Sequence, residues 1–311
     1  MRIHHLRRYT ATIIVYAILV ILVLITGFAS DVFLTGYNLG NLFLNATSVG
    51  LLCIGQTFTI VSGGIDLSVG SLVSLTTCLT AGIIDGQESL VLPVVAMVFT
   101  IALLIGFCNG LLVTKTGVHP IIVTLGMMAA LQGVALIYTK TPTGAVPDYF
   151  AFFAWERVAF IPVPCFILGI AAVAGIIVLK LTRFGRYVYA TGGNAEIARL
   201  SGIHTDRIRI VTYMICSFCA ALAGLYLVSR MGMGDPRLGE PFLFDSIVPV
   251  LLGGTSFSGG KGGIVGTLGG VFILTILNNT MNIFDVSAYW QYIVAGAIIL
   301  VAVAFYGRSR A

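Results

Sequence analysis

The feature that most constrains this chain is the recurrence of apolar runs about as long as a bilayer is thick. Thr10–Phe28 reads TATIIVYAILVILVLITGF and carries no charge. As a helix it crosses a hydrocarbon layer of ~30 Å. It has no small-residue cleavage site of the usual kind, and further runs follow, so it reads as a retained helix rather than a signal peptide. Comparable runs recur at about 42–62, 67–84, 90–113, 120–138, 161–181, 209–229, 243–256, 263–282 and 288–306. The chain is 58% hydrophobic and only 9% charged, against about 25% charged residues in soluble domains. A soluble monomer is excluded. The expected fold is all-α: a polytopic membrane protein of about ten helices, with some short or broken. The run 243–256 is too short to cross alone, and Pro249 should bend it. The run 42–62 is rich in Gly, Ser and Thr, as expected of a helix packed inside the bundle.

Basic residues orient the helices, because Lys and Arg accumulate on the cytoplasmic side. With the N-terminus inside, thirteen of the seventeen Lys and Arg fall inside, and nine of the twelve Asp and Glu fall outside. Both termini are then expected in the cytoplasm. The net charge of +5 is a topology signal; no nucleic-acid partner is implied. The outer loop at about 139–160 is rich in aromatics and should form a short interfacial helix, and Trp155, like Tyr9, Trp290 and Tyr306, suits interfacial anchoring. The inner loop at about 182–208 is the largest cytoplasmic segment.

Two glycine-rich stretches echo each other. SGGIDLSVG (Ser62–Gly70) and SGGKGGIVG (Ser258–Gly266) share Ser, Gly, Gly, Val and Gly at equal offsets; Thr59 matches Thr255 and Leu72 matches Leu268. Each stands between a short span and the next helix. Such interruptions in both halves of a chain point to broken helices and re-entrant segments in a transporter. Irregular backbone at that depth must be buried in protein or line water.

Asp66 is the most informative charge. It either caps the helix beginning LSVGSLVSL or faces a polar pathway. Pathway or gate candidates are Gln56, Ser62, Gly63, Gly64, Asp66, Ser68, Asn109, Gln132, Asp245, Ser258, Gly259 and Gly260. For the uncharged Gln56, Asn109, Gln132, Asn278 and Asn279, bonding between helices is the alternative. Gly262, Gly266 and Gly270 lie four apart, a spacing that admits a close helix neighbour. SFSGGKGG is not a phosphate-binding loop, since Thr255 stands where Gly is required and Gly262 where Ser or Thr is. The six cysteines show no disulfide or metal-site framework; Cys216 and Cys219 form a lone CxxC. His4, His5, His119 and His204 have no ligand spacing. There is no hydrolytic motif, and no catalytic residue, metal or cofactor is expected.

ATGGNAEIARLSGI (Ala190–Ile203) is the second distinctive stretch. Gly192 and Gly193 should make a turn. Asn194 can cap a short helix, with Glu196 in its first turn, where an acid suits the dipole. Ala198 is small, and Gly202 ends the helix. A short capped rod between two long membrane helices reads as a docking element for a cytoplasmic partner.

At these residues the chain resembles the permeases of ribose-type sugar ABC importers. SGGIDLSVGS, HPIIVTLGM, FGRYVYATGGNAEIARLSGI and LLGGTSFSGGKGG carry the likeness, which covers nearly the whole length. The resemblance implies a single transmembrane permease domain over residues 1–311 in a bacterial inner membrane, moving a monosaccharide inward. It implies two permease subunits, separate ABC ATPase subunits that carry the hydrolysis, and a periplasmic or extracellular sugar-binding protein. Residues 182–208 become the cytoplasmic coupling loop. Gly192, Gly193, Asn194, Glu196, Ala198, Arg199, Leu200, Ser201 and Gly202 become the ATPase-coupling helix, and the stretch around Asp66 lines or supports the pathway. One departure stands out. Where the family commonly reads Glu-Leu-Asp-Ala, this chain has Leu243, Phe244, Asp245 and Ser246; Pro249 also replaces a small residue. That leaves both a homodimer and a heterodimer open. The rival from another class is an ion-coupled secondary transporter of a small polar solute. It normally needs membrane-embedded acids, and here only Asp66 and Asp245 qualify.

Overall fold

The computed structural model describes residues 2–158, 161–287, 289–291, 293–294 and 296–297, with side chains from residue 12 onward. Its helices are α1 (Arg2–Ala29), α2 (Gly36–Val61), α3 (Val69–Ile84), α4 (Val91–Lys115), α5 (Pro120–Tyr138), α6 (Phe152–Trp155), α7 (Val163–Ile176), α8 (Arg183–Gly193), α9 (Ala195–Leu200), α10 (Thr205–Met231), α11 (Phe242–Asp245), α12 (Val248–Leu252) and α13 (Ile264–Ile283). A π-helical turn, Ile177–Leu181, extends α7. The fold is all-α; the strands among the described residues are two dipeptides, Arg157–Val158 and Ile161–Pro162, paired antiparallel. Seven helices are long and apolar enough to cross a membrane, and Val69–Ile84 and Phe242–Leu252 are shorter apolar segments. These account for nine of the ten expected runs. The tenth, 288–306, lies largely outside the described residues, as do Tyr306 and the side chain of Tyr9.

Helix ends follow local chemistry. The Thr35 hydroxyl accepts from the Asn38 N–H at the start of α2 (3.3 Å). Pro120 opens α5 at a position where its missing N–H costs nothing. Gly232 closes α10 with φ of 74°, the left-handed conformation that helix ends favour. The short run around Pro249 is broken as expected: α11 stops at Asp245 and α12 starts at Val248.

The bundle is built around α2, α3 and α10. The α2 window is 94% buried, whereas that of α1 is 11% buried. Lipid is as apolar as leucine, so helices associate in it through close packing and hydrogen bonds rather than hydrophobicity. The interior helices are composed accordingly. Gly106 and Gly110 of α4 let α10 approach: a Cβ on Gly106 would stand 2.7 Å from the Met214 Cα, and one on Gly110 would stand 2.6 Å from the Ile210 Cα. Hydroxyls bridge α2 and α13 (Thr57 Oγ1 to Thr267 Oγ1, 2.8 Å), and Asn38 and Asn279 exchange amide bonds of 2.8 and 3.0 Å. Gly266 and Gly270 face Gly253, just past the end of α12, and Pro249 of α12 at backbone contact. Gly262 does not share that face. It precedes the helix in a loop, with φ of 124°, because α13 starts only at Ile264.

Candidate functional site: two glycine loops and a polar cavity

The loop Ser62–Ser68 joins α2 to α3 within the protein. Ser62, Asp66 and Ser68 are all 0% exposed. Asp66 Oδ1 accepts from the Ser68 N–H (2.9 Å) and the Ser68 hydroxyl (2.6 Å). This turn stands immediately ahead of α3, whose N-terminal dipole favours a negative group. The Ser68 hydroxyl is thereby turned away from capping α3 itself, which has no side-chain cap. Asn109 of α4 reaches in to the Ser68 hydroxyl (2.9 Å) and more distantly to Asp66 Oδ1 (3.5 Å). No ion pair forms on Asp66; among the described residues the one salt bridge is Lys115–Asp206 (2.8 Å) at the surface.

The backbone of the same loop is held from three helices. Tyr213 of α10 donates to the Ile65 carbonyl (3.2 Å), Thr124 of α5 donates to the same oxygen (3.3 Å), and Gln56 of α2 donates to the Asp66 carbonyl (3.3 Å). Gln56 in turn accepts from the Cys216 thiol (3.1 Å), and the Ser62 and Thr212 hydroxyls lie 3.1 Å apart. Buried carbonyls without lipid-compatible partners are costly, and these donors supply the partners.

The second glycine loop, Gly253–Gly263, runs from α12 to α13 and meets the first. The Gly260 N–H donates to the Val61 carbonyl (2.9 Å). A Cβ on Gly259 would stand 2.9 Å from the Gly63 Cα and 2.9 Å from the Gly192 carbonyl oxygen. A Cβ on Gly192 would collide with the Val61 carbonyl and stand 2.7 Å from the Gly260 N. Tyr189 of α8 donates to the Gly262 carbonyl (2.8 Å). Thus Gly63, Gly192, Gly259 and Gly260 form one junction, at which the end of α8 is wedged against both echoing loops. Gly192 and Gly193 do not make the expected turn: α8 stays helical through Gly193, and the chain turns at Asn194 (φ −158°).

Directly beyond the junction, Asn194 Oδ1 accepts from the Glu196 and Ile197 N–H groups (3.0 Å each), capping α9. Ala198 packs inward, while Ile197 and Leu200 are 62% and 82% exposed. Ser201 caps the end and Gly202 takes φ of 83°.

At the other end of the bundle, α2, α10, α11 and α13 line a half-open cavity of about 550 Å³, within the ~300–1,000 Å³ typical of small-molecule sites. Its polar lining includes Asn45, Arg230, Asp245, Asn278, Asn279 and Asn282. Arg230 Nη1 donates to Asn45 Oδ1 (2.7 Å), and Trp155 stands at the edge, its indole N–H on the Arg230 carbonyl (3.2 Å).

A family profile described as branched-chain amino acid transport system / permease component matches residues 38–303. This chain belongs to that permease family. The ribose import permease protein RbsC of Escherichia coli (strain K12) is 41% identical to it over 290 residues, covering 92% of this chain and 90% of that protein. RbsC of Bacillus subtilis (strain 168) is 41% identical over 92% of this chain and 89% of its own length. The xylose transport system permease protein XylH of Escherichia coli (strain K12) is 32% identical, with 94% and 90% covered. No solved structure matches the chain. The permease is therefore a multi-pass membrane transporter subunit of the binding-protein-dependent class, and not an enzyme.

Within this permease the expected site residues divide in two. Gln56, Ser62, Gly63, Gly64, Asp66, Ser68, Asn109, Gly259 and Gly260 gather around the glycine loops, and Gly192 joins them. Ser258 is exposed at the loop edge. Gln132 lies elsewhere, donating to the Pro236 carbonyl (2.9 Å), and Asp245 lines the cavity at the far end. Sequence reasoning missed Thr124, Thr212 and Tyr213, whose hydroxyls hold the first loop, and it missed Asn45, Arg230 and Asn282. The spacing of Asn278 and Asn282, one turn apart on α13, was the available signal for the cavity.

Proposed function

We propose that this permease carries a monosaccharide inward through an ATP-driven importer, powered by a separate ATPase subunit that docks on α9. The observation that carries the reading is the glycine junction: the rod bearing Ile197 and Leu200 continues, through Gly192, into backbone contact with both re-entrant loops. A push on α9 therefore reaches the two places where the membrane helices are interrupted. Such broken segments are where alternating access rocks one part of a transporter against another. Pathway roles go to the loop residues Ser62, Gly63, Gly64, Asp66, Ser68, Ser258, Gly259 and Gly260, with Gln56 and Asn109 as supports, Gln132 as a helix tie and Asp245 as a cavity wall. The ribose and xylose specificities of the relatives and the amide-lined cavity support a sugar as cargo.

In this reading the whole chain is one permease domain, with 182–208 as its coupling loop. The permease sits in the plasma (inner) membrane, and the Lys and Arg distribution supports an N-terminus that is cytoplasmic, with the α9 end inside and the cavity outside, facing a sugar-binding protein. A second permease subunit completes the pathway. The ion-coupled alternative is less well supported, because Asp66 Oδ1 is held by neutral donors and fixes a turn; the one observation in its favour is Asp66 Oδ2, buried and unpartnered among the described residues. Reconstitution tests the choice. Vesicles holding the permease, its ATPase and its binding protein should take up D-ribose or D-xylose only with ATP. Uptake by the permease alone, driven by a proton or sodium gradient, would favour the secondary transporter.

A further inference from the structure

Trp155 reads from sequence as a lipid-interface anchor, but the structure puts it on the rim of the polar cavity. Its segment is pinned rather than loose. The indole N–H is bound to the Arg230 carbonyl (3.2 Å), the Ser229 hydroxyl donates to the Phe150 carbonyl (2.5 Å), and Phe150 and Phe153 pack edge to face at 5.8 Å. The side chain remains 56% exposed. It thus presents a fixed, open aromatic surface beside planar polar groups: the Arg230 guanidinium with its Asn45 partner, the Asp245 carboxylate and the Asn278 amide, the Asn279 and Asn282 amides being engaged by Asn38 and Gln291.

That combination has a chemical meaning. A monosaccharide has one face of polarised C–H groups and an edge of hydroxyls. The C–H face suits the negative face of an indole. The hydroxyl edge suits bidentate amides, carboxylate and guanidinium. An aliphatic amino acid has neither the flat C–H face nor the ring of hydroxyls. From this we infer that Trp155 is a specificity-determining residue, the stacking wall of a weak monosaccharide site in the permease itself. The inference rests on the sugar-import reading above. It adds to that reading that the permease, and not only the delivery protein, selects the cargo.

The chain has two tryptophans, Trp155 and Trp290, so Trp290→Phe leaves Trp155 as the permease's own reporter, read as the difference from a Trp155→Phe/Trp290→Phe permease in the same assembly. The full-length W290F permease, assembled with its ATPase in lipid nanodiscs, is titrated with D-ribose and with L-leucine to about 50 mM, well above a weak ~1 mM affinity. The expected result is a saturable change in Trp155 emission with D-ribose and none with L-leucine. In the complete reconstituted importer, Trp155→Ala should cut D-ribose uptake about tenfold, and Trp155→Phe should keep it within about threefold of wild type, since an aromatic face is retained. Emission unmoved by the sugar but quenched by brominated lipid would overturn the inference and restore the interface anchor. A response to L-leucine in place of D-ribose would overturn it too. If the wild-type importer moves neither D-ribose nor D-xylose, the sugar-import reading itself fails; if it moves them while Trp155 stays silent, only the present inference does.

Discussion

Gly192, the second-to-last residue of α8, lies in backbone contact with the carbonyl of Val61, the last residue of α2, with no room for a Cβ between them. That carbonyl is simultaneously the acceptor for the Gly260 N–H (2.9 Å). One oxygen thus joins the α8–α9 rod to both interrupted segments of the membrane domain.

Gly192→Ala should therefore destabilise the junction by about 1–3 kcal/mol, the usual cost of overpacking. Gly193 is the matched control: a Cβ there meets nothing within 4 Å, and Gly193→Ala should be neutral or slightly stabilising in a helix. Thermal unfolding of the two purified variants measures the difference. Equal melting temperatures would show that the contact yields at no cost.

At Asp66, charge matters less than acceptor geometry. Asp66→Asn keeps an oxygen for the Ser68 N–H and hydroxyl and should leave folding and uptake close to wild type. Asp66→Ala strands buried donors, at about 1–3 kcal/mol each, and should lower expression and thermal stability. An Asp66→Asn protein that is well folded but unable to transport would instead give the carboxylate a role in moving ions.

Tyr213→Phe removes the nearer donor from the Ile65 carbonyl and leaves the Thr124 hydroxyl, whose one proton is shared with the Pro120 carbonyl (3.0 Å). The expected loss is about 0.5–1.5 kcal/mol, read as a small drop in melting temperature with uptake retained. Removing both donors with Tyr213→Phe and Thr124→Val should cost more than the two single changes together, because the buried carbonyl is then unpartnered.

Loss of the Asn194 cap should act locally. Asn194→Ala removes the acceptor of two N–H groups and should cost about 1 kcal/mol, while Asn194→Ser should preserve most of it. Hydrogen exchange at Glu196 and Ile197 is the direct readout, with faster exchange expected in the alanine variant alone. Unchanged exchange there would mean that the contacts of Ala198 hold α9 without its cap.

Much of this architecture is written in local patterns. The 120–138 run coincides with α5 because Pro120 can only open a helix and the apolar stretch ends at Tyr138. The Asn194 cap and the Gly202 stop are short-range chemistry, visible wherever they occur. The junction is different. The echo between Ser62–Gly70 and Ser258–Gly266 is legible, but contact between the two loops depends on how α2, α8 and α13 pack. Gly192 was misread as a turn residue for the same reason: its role is to lack a Cβ opposite Val61, which is some 130 positions away along the chain. Gly262 was misassigned to the α13 face because spacing alone does not reveal where a helix starts. The polar cavity draws on Asn45, Trp155, Arg230 and Asp245 from four separate elements and on Asn278, Asn279 and Asn282 of α13, so only the asparagine spacing on α13 signals it locally.

The most direct test of force passing from α9 through the glycine junction is the number of sugar molecules imported per ATP hydrolysed, measured in the reconstituted importer for wild type, Gly192→Ala and Gly193→Ala. With all three complexes assembled and hydrolysing ATP, Gly192→Ala should import several-fold less sugar per ATP, and Gly193→Ala should match wild type. An unchanged ratio in Gly192→Ala would contradict transmission through this contact.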